Sequence, residues 1–240
     1  MGKRALLLIP LLLYGITPQG LVKRVEENLR GKSSQGEMVM KVVKSTWSRE
    51  LHFKFWEKGK DKTLILITYP PKERGIITLK IGKNVWNYIP SIERVIRIPS
   101  SMMGASWMGS HFTNDDLVRE YSLSRDYTPE IKSQDREGCL LLLRPKPGAG
   151  VVWGRIEMRI NRRTLLPTKE VFFSERGERI RTLYFKDVRK TGRRLFPFHW
   201  ILVPEKKPGE RTELFVKRIV FDVSIPERIF SLRHLKEMGI

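Results

Sequence analysis

Cysteine is almost absent: Cys139 stands alone in 240 residues. A lone thiol makes no internal disulfide, no cysteine-based zinc site and no redox pair. It sits in the apolar run Cys139-Leu140-Leu141-Leu142-Leu143. That is a setting for a buried structural thiol, because reactive thiols need electropositive, partly exposed surroundings. Histidine is scarce as well. His52, His111, His199 and His234 fall into no H-E-x-x-H or comparable ligand spacing. No G-x-S-x-G turn offers a nucleophilic serine. Gly148-Ala149-Gly150 lacks the Lys-Ser/Thr that completes a phosphate loop. Asp115 and Asp116 are adjacent, and adjacent helical residues point in different directions, so capping explains them better than paired catalysis. These gaps point away from an enzyme, a metal site or a cofactor.

Long hydrophobic runs are missing too. The nearest approach is Ala5-Leu6-Leu7-Leu8-Ile9-Pro10-Leu11-Leu12-Leu13-Tyr14, preceded by Lys3 and Arg4. It is about half the ~20 residues that a membrane-spanning helix needs, and Pro10 interrupts it. A basic start followed by a short apolar run reads as an export signal over residues 1–19, which places the mature chain in the periplasm. An uncleaved anchor is the alternative. No cysteine follows the run, so no lipoprotein attachment is expected. No Ser/Gly/Pro tract divides the rest, so residues 20–240 are expected to form one domain.

Acidic residues are outnumbered, 26 against 46 Lys and Arg, for a formal charge of +20. Such a balance suits an anionic lipid surface or is simply a solvated basic exterior. The basic residues are spread along the whole chain, with no compact block of the kind that makes a nucleic-acid-binding arm.

What remains is periodic. Thr17-Pro18 reads as an N-cap and first turn, and Leu21, Val22, Val25 and Leu29 share one helical face, with Lys23, Arg24, Glu26, Glu27 and Arg30 filling the other and Gly31 closing the helix. From Met38 the period becomes two. Leu51, Phe53 and Phe55 share a face, as do Ile77, Leu79 and Ile81, and Arg155-Ile156-Glu157-Met158-Arg159-Ile160 alternates strictly. Turn residues separate these runs, as in Gly82-Lys83-Asn84 and Thr191-Gly192. The pattern predicts ten or so short strands in an antiparallel meander, each with one wet and one dry face.

One stretch breaks the rhythm. Met102, Met103, Trp107, Met108 and Phe112 stand among small residues within an eleven-residue span. Flexible, polarisable methionines suit ligands of variable shape such as acyl chains. The same side chains equally suit a plug that only completes the core. Thr113 is placed to cap a helix starting at Asn114-Asp115-Asp116.

Met108-Gly109-Ser110-His111-Phe112-Thr113-Asn114-Asp115-Asp116-Leu117 resembles the motif of outer-membrane lipoprotein-sorting-like proteins, the LolA/LolB-like superfamily. Val85-Trp86-Asn87-Tyr88-Ile89-Pro90, Leu166-Pro167-Thr168-Lys169-Glu170-Val171 and Ile225-Pro226-Glu227 are similar to flanking stretches of that superfamily. The resemblance implies a mainly β fold: a large curved antiparallel sheet, a half-barrel, wrapped around a few short plug helices with a hydrophobic cavity between. It implies that Met102, Met103, Trp107, Met108 and Phe112 line or gate that cavity, and that Gly109, Ser110, His111, Thr113 and Asp116 form the surrounding motif. His111 departs from the pattern, in which an acidic residue is usual. The function this implies is a non-catalytic periplasmic carrier of lipid or lipoprotein acyl chains that works against anionic membrane surfaces, with an inner-membrane transporter as a candidate partner. The alternative is an envelope accessory protein docked on such a transporter.

Overall fold

The computed structural model describes residues 15–119 and 123–238. Most of the expected export signal therefore lies outside the described residues. The first helix, α1 (Pro18–Arg30), is capped as its sequence requires. The Thr17 hydroxyl accepts the Gly20 N–H at 3.1 Å, and Gly31 ends the helix at φ 69°, where a side chain would be strained. Leu21, Val22, Val25 and Leu29 are buried. So are Glu26 and Arg30, against expectation. Glu26 accepts Lys60 Nζ at 2.6 Å and the Ser124 N–H at 2.8 Å. Arg30 donates to the Lys62 carbonyl at 3.0 Å. Both long side chains find partners in segments distant along the chain, which an amphipathic reading of one helix does not reveal.

Six strands follow: β1 (Ser33–Val43), β2 (Ser48–Lys58), β3 (Lys62–Tyr69), β4 (Ile77–Ile81), β5 (Asn84–Ile89) and β6 (Arg94–Arg97). The segment after them carries single turns at Ser100–Met102 and Trp107–Gly109, then α2 (Asn114–Arg119) and α3 (Leu123–Asp126). Seven more strands complete the sheet: β7 (Tyr127–Gln134), β8 (Gly138–Pro145), β9 (Arg155–Asn161), β10 (Pro167–Phe173), β11 (Arg179–Thr191), β12 (Arg194–Pro204) and β13 (Arg211–Phe221). A turn at Glu227–Phe230 and α4 (Leu232–Met238) end the described chain.

All thirteen strands form one antiparallel sheet in the order β6-β5-β4-β3-β2-β1-β13-β12-β11-β10-β9-β8-β7. Neighbours in space are neighbours in sequence everywhere except at the central β1–β13 junction. There Gly36 allows a close approach, since a Cβ at that position would lie 2.2 Å from the Arg218 carbonyl oxygen. β6 and β7 do not pair, so the sheet stays open. Both edges are blunted against further pairing. β6 has four residues and an arginine at each end, while β7 carries Pro129 and a bulge between Ile131 and Ser133.

The dry faces of the strands meet α1 in one main core that includes Met40, Phe53, Ile65, Met158, Leu183 and Trp200. β4 departs from the expected alternation, because Ile77, Thr78, Leu79 and Lys80 are all buried. Ile77 and Leu79 share a face, as expected, but it is the outer one. It is covered by Ile225, Phe230 and Leu235 of the C-terminal segment. Among the described residues no helix is long and apolar enough to cross a membrane.

Candidate functional site

The break in periodicity falls between the two unpaired edge strands, and the chain there folds into the hollow of the sheet. Residues 102–116 bond largely to themselves. Trp107 N–H donates to the Phe112 carbonyl at 2.8 Å, and Asp115 N–H donates to the Met103 carbonyl at 2.8 Å. Thr113 and Asp116 cap α2 reciprocally. The Thr113 hydroxyl accepts the Asp116 N–H at 3.2 Å, and the Asp116 carboxylate accepts the Thr113 N–H at 2.7 Å.

Polar ties fasten this plug to the strands. Arg181 of β11 grips the Asp116 carboxylate with both terminal nitrogens, one at 2.7 Å, and donates to the His111 carbonyl at 3.0 Å. Its guanidinium lies 4.2 Å from the Trp153 ring centre and 4.4 Å from that of Phe172, a favourable stack for a cation. The His111 ring is wedged between two hairpins: Nδ1 is 2.8 Å from the Thr212 hydroxyl, and Nε2 is 2.8 Å from Lys44 Nζ and 3.0 Å from Glu210. Burial holds this imidazole below its ordinary value, against the pull of Glu210. His111, with the Ser45 N–H and Lys44, holds Glu210 down to about 2. Arg49 donates to the Met108 carbonyl and to Glu73.

Two voids lie under the plug. The first, about 80 Å³, is walled by Trp107 and Phe112 of the plug and by Phe53, Phe55, Phe196 and Trp200 of the sheet. The second, about 30 Å³, is walled by Tyr127, Trp153, Phe172, Leu183, Glu170 and Arg181. Phe112 and Asp116 border both, so they form the partition. Trp107 is held edge-on to Phe53, with ring centres 5.8 Å apart, and its indole N–H donates to the Thr78 hydroxyl at 3.2 Å.

The structure thus brings Trp107, Phe112 and Asp116 together at the cavity. It does not bring Met102 and Met103 there. Met102 is 49% exposed. Met103 borders an open groove that also touches Lys83, Arg97 and Gly148. Met108 is half-buried against the main core, in the left-handed region at φ 49°. Gly109 follows it at φ 68°, and Ser110 is buried, its hydroxyl donating to the Trp107 carbonyl at 2.7 Å. Neither motif nor spacing singles out Arg181 and Glu170 as residues of the site. Strand parity was the available signal: Arg181 shares the inward side with Leu183 and Phe185, and Glu170 shares it with Phe172.

A family model described as "Uncharacterized protein" matches residues 59–237. A DUF1329 family protein from Desulfovibrio piger superposes with a TM-score of 0.84 at 20% identity, over 91% of this chain and 97% of that one. An outer membrane lipoprotein-sorting protein domain from Vibrio parahaemolyticus superposes with a TM-score of 0.79 at 20% identity, over 91% and 98%. A LolA superfamily protein from Nitrosomonas europaea does so with a TM-score of 0.78 at 20% identity, over 91% and 99%. Likeness at this identity is a likeness of fold. No curated protein matches the chain.

Proposed function

The chain belongs to the family of uncharacterized proteins whose model spans residues 59–237, its fold is LolA-like, and on that premise we propose that it carries the acyl chains of a lipid or lipoprotein. The setting we propose is the periplasm, in lipoprotein sorting or related envelope lipid transport. The observation that carries this reading is a mainly apolar void between a half-barrel and a separate, self-bonded plug.

The magnitudes support it. The voids of about 80 and 30 Å³ are far too small for a long chain, given ~30 Å³ for one water in the liquid. Loading therefore requires Phe112 and its neighbours to move aside. Exposing a large apolar side chain costs ~1.5–3 kcal/mol. A tail of about fourteen methylenes gains ~11 kcal/mol on burial, at ~0.8 kcal/mol each. The tail outweighs the displacement of Phe112. The formal charge of +20 favours docking on anionic head groups, at ~1 kcal/mol for each basic residue near the surface.

The same small volumes favour a second reading, an envelope accessory protein whose plug never moves. Native mass spectrometry of protein purified from its own host separates the two. The carrier retains a lipid mass and takes up a fluorescent acyl chain. A ligand-free spectrum with no uptake, together with recovery of a membrane transporter in a pull-down, would establish the accessory protein instead.

A further inference from the structure

Building on the carrier reading, we propose that Glu170 is the seat for the uncharged carbonyl that links an acyl chain to the rest of its lipid, an ester or an amide. Glu170 lies on the inner side of β10, opposite Met158 of β9 and Leu183 of β11. It is 6% exposed and borders the second void. The other inward charged groups are occupied. Glu57 accepts the Ser34 hydroxyl at 2.7 Å, Lys80 donates to the Lys60 carbonyl at 2.6 Å, and Asp116 is taken by Arg181 and Thr113. Glu170 makes no hydrogen bond among the described residues. A buried polar group left in that state costs ~1–3 kcal/mol, so its capacity is available to whatever enters.

Its protonation selects the partner. Burial pushes Glu170 up to about 8, although Arg181 pulls the other way. At neutral pH it is therefore a carboxylic acid with an O–H to donate. A carbonyl oxygen accepts that bond and brings no charge into an apolar wall. A carboxylate or phosphate would need a free cation, and Arg181 is already paired. An amine would need Glu170 ionised. The second void of about 30 Å³ has room for a water-sized group, and a carbonyl oxygen is of that size. With Phe112 displaced the two voids join, so a carbonyl at Glu170 sends its tail toward Phe53, Phe55 and Trp200.

The test uses the full chain and two amphiphiles that differ only in the carbonyl, 1-palmitoylglycerol and its ether analogue 1-O-hexadecylglycerol, with palmitate as a third probe. Tryptophan emission reads binding at about pH 6.5 and about pH 9.5, on either side of the Glu170 transition. The expected result is ester binding about tenfold tighter than ether at the lower pH, as one net hydrogen bond gives. That preference should collapse at the higher pH. Glu170→Gln keeps a donor, so it should keep the preference and lose the pH dependence. Glu170→Leu should bind ester and ether alike. Equal binding of ester and ether by the wild type would overturn the proposal, as would tighter binding of palmitate than of the ester, or a preference surviving in Glu170→Leu. If neither glycerolipid binds at either pH, the carrier reading itself falls and takes this assignment with it.

Discussion

Asp116 meets both terminal nitrogens of Arg181, and the pair joins the first turn of α2 to strand β11 across the mouth of the cavity. The Arg181 side chain is only 5% exposed and that of Asp116 12%. Removing one member of a buried pair costs ~3–5 kcal/mol, because the other charge stays behind. Asp116→Ala also removes the reciprocal cap. We expect Asp116→Ala to lower stability by about 3 kcal/mol or more in urea unfolding, and the double substitution Asp116→Leu with Arg181→Met to cost much less than the sum of the singles. Strictly additive losses would show that the pair does not act as a unit.

Phe112 separates the two voids. Phe112→Ala should destabilise the fold by ~3–5 kcal/mol, as aromatic-to-alanine changes in cores do. It should also enlarge the space beneath the plug. Uptake of a fluorescent acyl chain by the surviving folded fraction is expected to become faster. Slower or absent uptake in folded protein would mean that Phe112 holds the ligand rather than bars it.

Glu170 and Lys80 tilt the pH dependence of stability in opposite directions. Glu170 rises from 4.5 to about 8 on folding, so between those values the folded state keeps a proton that the unfolded state releases. Its contribution is fully present below the unfolded value and is lost as pH rises to about 8. Burial lowers Lys80 from 10.5 to about 7; its contribution is present above the unfolded value and is lost as pH falls to about 7. Glu170→Gln should therefore stabilise the protein by roughly 3 kcal/mol at neutral pH. Urea midpoints measured from acid to alkaline pH should show a flatter slope between about pH 5 and 8 in the variant.

His111 contacts Thr212, Lys44 and Glu210. His111→Asp would set a second carboxylate beside Glu210. We expect it to be less stable than His111→Asn by about 1–2 kcal/mol at neutral pH, with the gap closing in acid. The wild-type imidazole is held low by burial. The unfolded chain therefore takes up a proton first as pH falls below the ordinary histidine value, and wild-type stability should drop through that window while His111→Asn does not. Equal urea midpoints for the two variants at every pH would mean that the cluster is insensitive to charge.

Much of this architecture was legible in the residues. Thr17, Pro18 and Gly31 mark the ends of α1, and the alternation in Leu51-His52-Phe53-Lys54-Phe55 sets the inner face of β2, because caps and periodicity are local. The outer burial of Ile77 and Leu79 was not legible. Alternation says which residues share a face but not which face is inside, and their cover arrives from Phe230 and Leu235 far along the chain. At the site, Trp107 and Phe112 border the first void and the Thr113 hydroxyl caps α2. Met102 and Met103 fell outside, since an irregular segment has no period from which to read direction. Arg181 and Glu170 were visible as inward charges only once their strands were phased.

For the proposed carrier, the unpaired seam between β6 and β7 also sets what size of guest can be tolerated. A closed barrel has a girth fixed by strand number and stagger. Here no ladder of hydrogen bonds crosses the gap, so the two flanks can spread by small changes in twist spread over thirteen strands while every rung stays intact. In such a carrier selection by diameter would be weak, and discrimination among guests would fall to the few polar atoms that line the wall.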